Sequence, residues 1–291
     1  MRKSFAPFAL LSIAAIWGMT FVMMVDPIQQ QGVNDFLSFR FTLAAIILIL
    51  IRPRVLRQIS VPLLKKGGIA GIFLGGGFAF QTLGLSVTTP AITGFITGLY
   101  VVITPLLAVF VIRSKVTRVA WIAVLLATSG LLVLTFNGFE ISWGAIAVFV
   151  SAIFYAAHIV ALGVWSKDFD TYALTTVQIA TCSLLTTVAA LGNGITGPVG
   201  GNGWFVVIFT ATAATVLAFL VQTWAQAIIA STTVAVLLTT EVFFAALFSV
   251  LSGTETLTIR VLIGGILVTA GMYLILLTDR PAQEISTKKD D

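Results

Sequence analysis

Ten stretches of nearly unbroken apolar residues, separated by short polar interruptions, fill this chain from one end almost to the other. A helix needs about 20 mainly apolar residues to cross a hydrocarbon core roughly 30 Å thick. On that measure the stretches predict helices near residues 5–25, 35–51, 67–87, 90–112, 117–136, 141–165, 171–191, 204–229, 231–252 and 257–277. They read as continuous runs and not as ten-residue alternations, which selects helices over barrel strands. Short connectors and a polar tail are all that remains. The fold class predicted is an all-α membrane protein of ten transmembrane helices.

Within several of these stretches the polar residues recur at helical spacing. Ser151, Tyr155, His158 and Trp165 share one face of the sixth helix. Thr212, Thr215, Phe219, Gln222 and Gln226 do so in the eighth, and Thr93, Thr97, Tyr100 and Thr104 in the fourth. The first helix adds Trp17, Thr20 and Met24, and the third adds Phe78 and Gln81. Leu, Val and Ile face lipid without cost, so the polar faces are expected to turn inward. One role for such Thr and Gln residues is interhelical glue, at about 0.6 kcal/mol per contact. Five helices presenting polar and aromatic faces together point instead to a chamber for a small solute with an apolar body and a polar head.

Composition and charge agree with burial in a bilayer. Hydrophobic residues make up 58% and charged residues 9% of the chain, with a mean hydropathy of +1.08, against about 25% charged residues in soluble domains. With the N-terminus inside and sides alternating, the inside segments hold Arg2, Lys3, Arg52, Arg54, Arg57, Lys65, Lys66, Arg113, Lys115, Arg118, Lys167, Arg280, Lys288 and Lys289. The outside segments hold only Arg260. This positive-inside bias predicts ten spans with both termini cytoplasmic. It also accounts for the net charge of +5 without nucleic acid. The first stretch runs into Val25-Asp26-Pro27 without a small-residue cleavage site, so it is expected to be retained. No Asn-x-Ser/Thr sequon occurs at Asn34, Asn137, Asn193 or Asn202, which favours a bacterial inner membrane.

The chain also divides into two similar halves. A shift of 141 residues sets Gln81-Thr82 on Gln222-Thr223, Thr117 on Thr258 and Ser129-Gly130-Leu131 on Ala270-Gly271-Met272. The first helices align at a shift of 138, which pairs Trp17 with Tyr155. The expected units are 1–137 and 138–279, followed by a polar tail at 280–291. Five helices per unit is an odd number, so the second unit must enter the membrane from the opposite side. Inverted repeats of this kind build many secondary transporters, with the solute site near the midplane between them.

Three motifs resemble those of a known family. They are Ala14-Ala15-Ile16-Trp17-Gly18, then Thr93-Gly94-Phe95-Ile96-Thr97-Gly98-Leu99-Tyr100 followed by Thr104-Pro105, and finally Ala230-Ser231 followed by Thr240-Glu241-Val242-Phe243-Phe244-Ala245-Ala246-Leu247. Together they resemble the EamA-type carriers of the drug/metabolite transporter superfamily over roughly residues 5–278, with the branch exporting aromatic and other amino acids nearest in pattern. The resemblance implies a secondary transporter and not an enzyme. Where the family pattern has Glu-Pro this chain has Glu241-Val242, which leaves a kink there unsupported. Pro105 should bend the fourth helix by freeing the carbonyl near Val101, and Pro90 suits a first helical turn.

The residues expected along the solute path are Trp17, Thr20, Phe78, Gln81, Thr97, Tyr100, Tyr155, His158, Trp165, Phe219, Gln222 and Glu241. Glu241, in the middle of the ninth helix, costs at least about 2.5 kcal/mol if ionised in lipid, so it should be neutral, paired or facing a cavity. It could contact a solute amine, carry a proton or pair structurally. His158 could contact solute, relay a proton or rest as a satisfied interior imidazole. Arg40 is expected either to snorkel outward or to meet a carboxylate in the outer vestibule. With one histidine and one cysteine, Cys182, neither a His-based metal site nor a disulfide is expected. Gly75-Gly76-Gly77 lacks the Lys-Ser/Thr of a phosphate loop, so no nucleotide cofactor is implied. The expected partners are a small-molecule solute and the lipid bilayer; no obligate protein partner is indicated, so a monomer suffices. Two rivals are a nucleotide-sugar or phosphorylated-metabolite carrier, which needs cationic side chains in the cavity, and an integral-membrane lipid-modifying enzyme, which needs clustered catalytic groups.

Overall fold

The computed structural model describes residues 5–88, 90–113, 115–135, 142–192, 194–251 and 258–278. The cations at 2–3, the expected boundary between two halves at 137–140 and the expected tail at 280–291 lie outside these residues. The described residues are helical almost throughout. The order is α1 (Ala6–Met23), α2 (Val25–Gln31), α3 (Val33–Ile51), α4 (Val61–Leu85), α5 (Pro90–Gly98), α6 (Tyr100–Ile112) and α7 (Arg118–Thr135). There follow α8 (Trp143–Trp165), α9 (Thr171–Leu191), α10 (Gly200–Ala211), α11 (Ala218–Gln226), α12 (Ser231–Leu238), α13 (Thr240–Leu251) and α14 (Ile259–Thr278). Among the described residues seven helical stretches are long and apolar enough to cross a membrane, counting Gly200–Gln226 and Ser231–Phe248 each as one. Shorter apolar helices, Ile96–Ile112, Arg118–Gly130 and Leu262–Ile275, occupy the fourth, fifth and tenth stretches.

The helix ends follow local chemistry. Ser60, Ser142 and Asp170 each accept a backbone N–H from three residues ahead, opening α4, α8 and α9. Gly32, at φ 90°, turns the chain between α2 and α3 in a conformation that side chains disfavour. The short helix α2 forms where the sequence suggested only a connector. The fourth stretch is interrupted at Leu99, one and a half turns before Pro105, whose missing N–H weakens the preceding turns. The ninth is interrupted at Thr239 although it carries no proline. There Thr239 and Thr240 donate their hydroxyls to the carbonyls of Ala235 and Leu237 at 2.7 and 2.6 Å, the back-bonding that bends helices.

Glycines set the tightest helix contacts. A Cβ on Gly77 would lie 2.6 Å from the Tyr155 ring, and one on Gly84 would lie 2.9 Å from the Gly144 carbonyl, so the α4 backbone meets both a side chain and the backbone of α8. Gly71 lies equally close to α9, where a Cβ would meet the Gln178 carbonyl at 2.7 Å. Between α7 and α14 the contact is reciprocal. A Cβ on Gly130 would stand 2.7 Å from the Gly264 carbonyl and 2.8 Å from the Val268 nitrogen; one on Gly271 would stand 2.7 Å from the Ala123 carbonyl and 3.1 Å from the Ala127 nitrogen. Adding 141 to Ala123, Ala127 and Gly130 gives Gly264, Val268 and Gly271. Thr42 and Ser183, also 141 apart, share a 2.8 Å hydroxyl hydrogen bond between α3 and α9. Large apolar side chains such as Leu50, Phe110, Leu184 and Ile266 cover the outside of the bundle.

Candidate functional site

Within the bundle a chamber opens between α1, α3, α4, the start of α6, α8, α11 and the junction of α12 with α13. Its walls are rings. Trp17 lies 5.4 Å from Phe219, Phe78 lies 5.5 Å from Tyr155 and 6.0 Å from Phe219, and His158 meets Phe219 edge-on at 6.0 Å. These separations fall in the range where aromatic rings attract one another. Phe21, Met24, Leu74, Ile159 and Leu238 complete the apolar lining. The cavity volume is about 50 Å³, against roughly 10–15 Å³ for one enclosed water. In this conformation the chamber has room for a few waters, and it must widen to take an organic solute.

The polar groups around it are held in several separate sets of hydrogen bonds. Tyr155 donates to Gln81 Oε1 at 2.9 Å, and Gln81 Nε2 donates to Thr97 Oγ1 at 3.1 Å. Gln226 Nε2 donates to the Ile159 carbonyl at 2.6 Å, which turns its own oxygen towards Gln222 Nε2 at 3.0 Å. Gln222 Oε1 is left buried without a partner, beside the chamber that Gln222 lines. His158 Nε2 is bonded to Gln178 Oε1 at 2.7 Å. Tyr100 approaches Glu241 Oε1 at 3.5 Å, and Glu241 is 6% exposed. Neither of the two ion pairs among the described residues includes Glu241.

One further element was not legible in the sequence. Between α10 and α11, residues Thr212–Leu217 form a π-helical turn. A π turn shifts the backbone ladder by a residue and is frequent at functional sites. Here the Ala214 carbonyl accepts from Trp17 Nε1 at 2.8 Å and from Arg40 Nη2 at 3.3 Å. The eighth stretch thereby grips α1 and α3 at the edge of the chamber. Its composition, Thr and Ala, carries no signal for such a turn.

Eleven of the thirteen residues selected from the sequence line the chamber: Trp17, Thr20, Arg40, Phe78, Gln81, Tyr100, Tyr155, His158, Phe219, Gln222 and Glu241. Thr97 stands one contact behind, holding Gln81. Trp165 does not reach it. Seven residues beyond His158 on α8, it lies about 10 Å further along the axis and packs against the cluster of Val55, Leu63, Leu162 and Leu174. Arg40 neither snorkels outward nor meets a carboxylate among the described residues. It is 1% exposed and turned inward, because acceptors on the π turn and the Phe78 ring receive it there. Met24, on the first-helix face already marked by Trp17 and Thr20, lines the chamber too, as do Phe21, Leu74, Ile159 and Leu238; these last four, as ordinary apolar residues, are indistinguishable in sequence from lipid-facing ones.

Apolar helices closed around a polar and aromatic interior define a multi-pass membrane protein whose chemistry lies inside the bundle. The chain belongs to the EamA-like transporter family, whose profile matches residues 4–136 and again 142–277. An uncharacterized transporter of Archaeoglobus fulgidus is 28% identical over 284 residues, covering 94% of this chain and 87% of its own length. One crystal structure superposes with a TM-score of 0.80 at 16% identity, over 96% of this chain and 99% of that one, a likeness of fold. The protein is thus a transporter of the EamA type, within the drug/metabolite transporter superfamily.

Proposed function

We propose that this protein is a secondary carrier exporting amino acids, aromatic and other neutral ones, across a bacterial inner membrane by alternating access. The observation that carries the reading is the central chamber. Its ring walls suit an apolar side chain, while Glu241 and the unpartnered Gln222 oxygen suit an amine. The carrier has ten spans, as two five-helix units at 1–137 and 138–279 entering from opposite faces, with both termini cytoplasmic. Support comes from the two profile matches and from the reciprocal contacts at a spacing of 141, which a two-fold operator requires. In this arrangement Tyr100 and Glu241, again 141 apart, meet near the midplane.

The phosphorylated-metabolite reading would need several cations around the solute, and Arg40 is the only Lys or Arg among the residues lining the chamber. The test is counterflow of labelled phenylalanine and other neutral amino acids in proteoliposomes. Saturable, competitor-sensitive exchange is expected. Exchange of sugar nucleotides or phosphate esters, with none of amino acids, would replace this reading by its rival.

A further inference from the structure

We infer that Arg40 is the carboxylate-binding residue of the chamber, so that this protein selects solutes bearing one free carboxyl group. The inference deepens the amino-acid reading above, but the binding it describes does not depend on transport.

A buried guanidinium is costly without an anion, and among the described residues no carboxylate hydrogen-bonds or ion-pairs with Arg40. Arg40 is 1% exposed. Of its five N–H groups, Nε donates to Thr215 Oγ1 at 2.9 Å and Nη2 to the Ala214 carbonyl at 3.3 Å, while Nη1 faces the weak acceptor Met24 Sδ at 3.6 Å. All three partners are neutral. The two ion pairs among the described residues, Arg52–Asp170 and Lys66–Asp168, do not involve it. The guanidinium carbon lies 4.5 Å from the centre of the Phe78 ring and 5.5 Å from that of Phe41, which compensates in part. A buried charge without a counter-ion remains costly. Free donors remain on both terminal nitrogens, the pair that a carboxylate engages in parallel. Arg40 lines the chamber, so a solute there can supply the missing charge.

The number of charges limits the anion. One arginine together with Glu241 matches a monocarboxylate better than a phosphate dianion. The buried Gln222 oxygen is a free acceptor for an amine on the same solute. Arginine as donor, with amide and acid as acceptors, reads both ends of an α-amino acid, and the rings between them receive its side chain.

The test is binding to the purified full-length protein, followed by ligand-dependent thermal stabilisation. The probes are 3-phenylpropanoate, its uncharged analogue 3-phenylpropanamide, and phenyl phosphate. The acid should bind at least about tenfold more tightly than the amide, as expected for charge-assisted bonding, and more tightly than phenyl phosphate. Arg40→Gln should bring acid and amide to parity, and Arg40→Lys, a point charge without the fork, should retain a reduced preference. Should one variant fail to fold, the other together with the wild-type ratio still decides. No preference for the acid in the wild type, an unchanged preference in the variants, or tighter binding of phenyl phosphate would overturn the inference. Absence of amino-acid flux in proteoliposomes would instead overturn the transport reading and leave the acid-to-amide ratio standing.

Discussion

Tyr155 shows how much one chamber residue supports. Its ring lies against Gly77 and stands T-shaped to Phe78, and its hydroxyl holds Gln81 at 2.9 Å. Tyr155→Phe keeps the ring but leaves the Gln81 oxygen buried without a donor, which should cost about 1–3 kcal/mol. The thermal midpoint in detergent should fall; an unchanged midpoint would mean that Gln81 has another partner. Such residues were legible in sequence because helical periodicity placed Tyr155 and His158 on one face, and a polar face in lipid must turn inward. Arg40 was not, since periodicity gives the face of a single cation but not the acceptors awaiting it. Those acceptors lie 174 and 175 residues away on the π turn, a feature produced by packing and not by local propensity.

At the scale of elements, close approach decides stability. Without a hydrophobic drive in lipid, helices associate through packing of small residues, and Gly130 and Gly271 bring α7 and α14 into backbone contact. Gly130→Ala and Gly271→Ala should each wedge these helices apart at a cost of about 1–3 kcal/mol. The two should destabilise by similar amounts because their contacts are reciprocal, whereas Gly201→Ala, with open space around it, should be neutral. Thermal midpoints of the three variants check this, and equal midpoints for all three would refute it. The paired turn around each glycine was visible in sequence as Ser129-Gly130-Leu131 and Ala270-Gly271-Met272. The breaks at Leu99 and Thr239 were only half visible. Pro105 announced the first, but the second depends on threonine back-bonding, a choice of rotamer that sequence does not reveal.

For the whole molecule, charge distribution and the arrangement of the halves make separate predictions. Arg52–Asp170 and Lys66–Asp168 tie the two halves at one end, each at 3.0 Å, but their side chains are 38% to 52% exposed. Exposed pairs contribute about 0–1 kcal/mol. Arg52→Gln should therefore shift the thermal midpoint little, and a large shift would show that this pair clamps the fold. The proposed topology puts fourteen cations inside and one outside, so a reporter fused to the C-terminus should read as cytoplasmic, and an external signal would refute the ten-span inverted arrangement. The all-helical membrane character was legible because hydropathy alone forces it, whereas the proposed count of ten spans rests on charge bias and repeat spacing. The chamber's small volume was not, since it depends on how far the helices have closed.

The central claim is that solute passes through this chamber, and a thiol placed in its wall tests it. In a Cys182→Ala background, Leu238→Cys sets a single cysteine in the lining. The measurement is counterflow of labelled phenylalanine in proteoliposomes before and after stoichiometric alkylation of that cysteine. The account predicts that alkylation abolishes the flux and that excess phenylalanine slows the labelling. Flux that persists undiminished through a fully alkylated protein would contradict it.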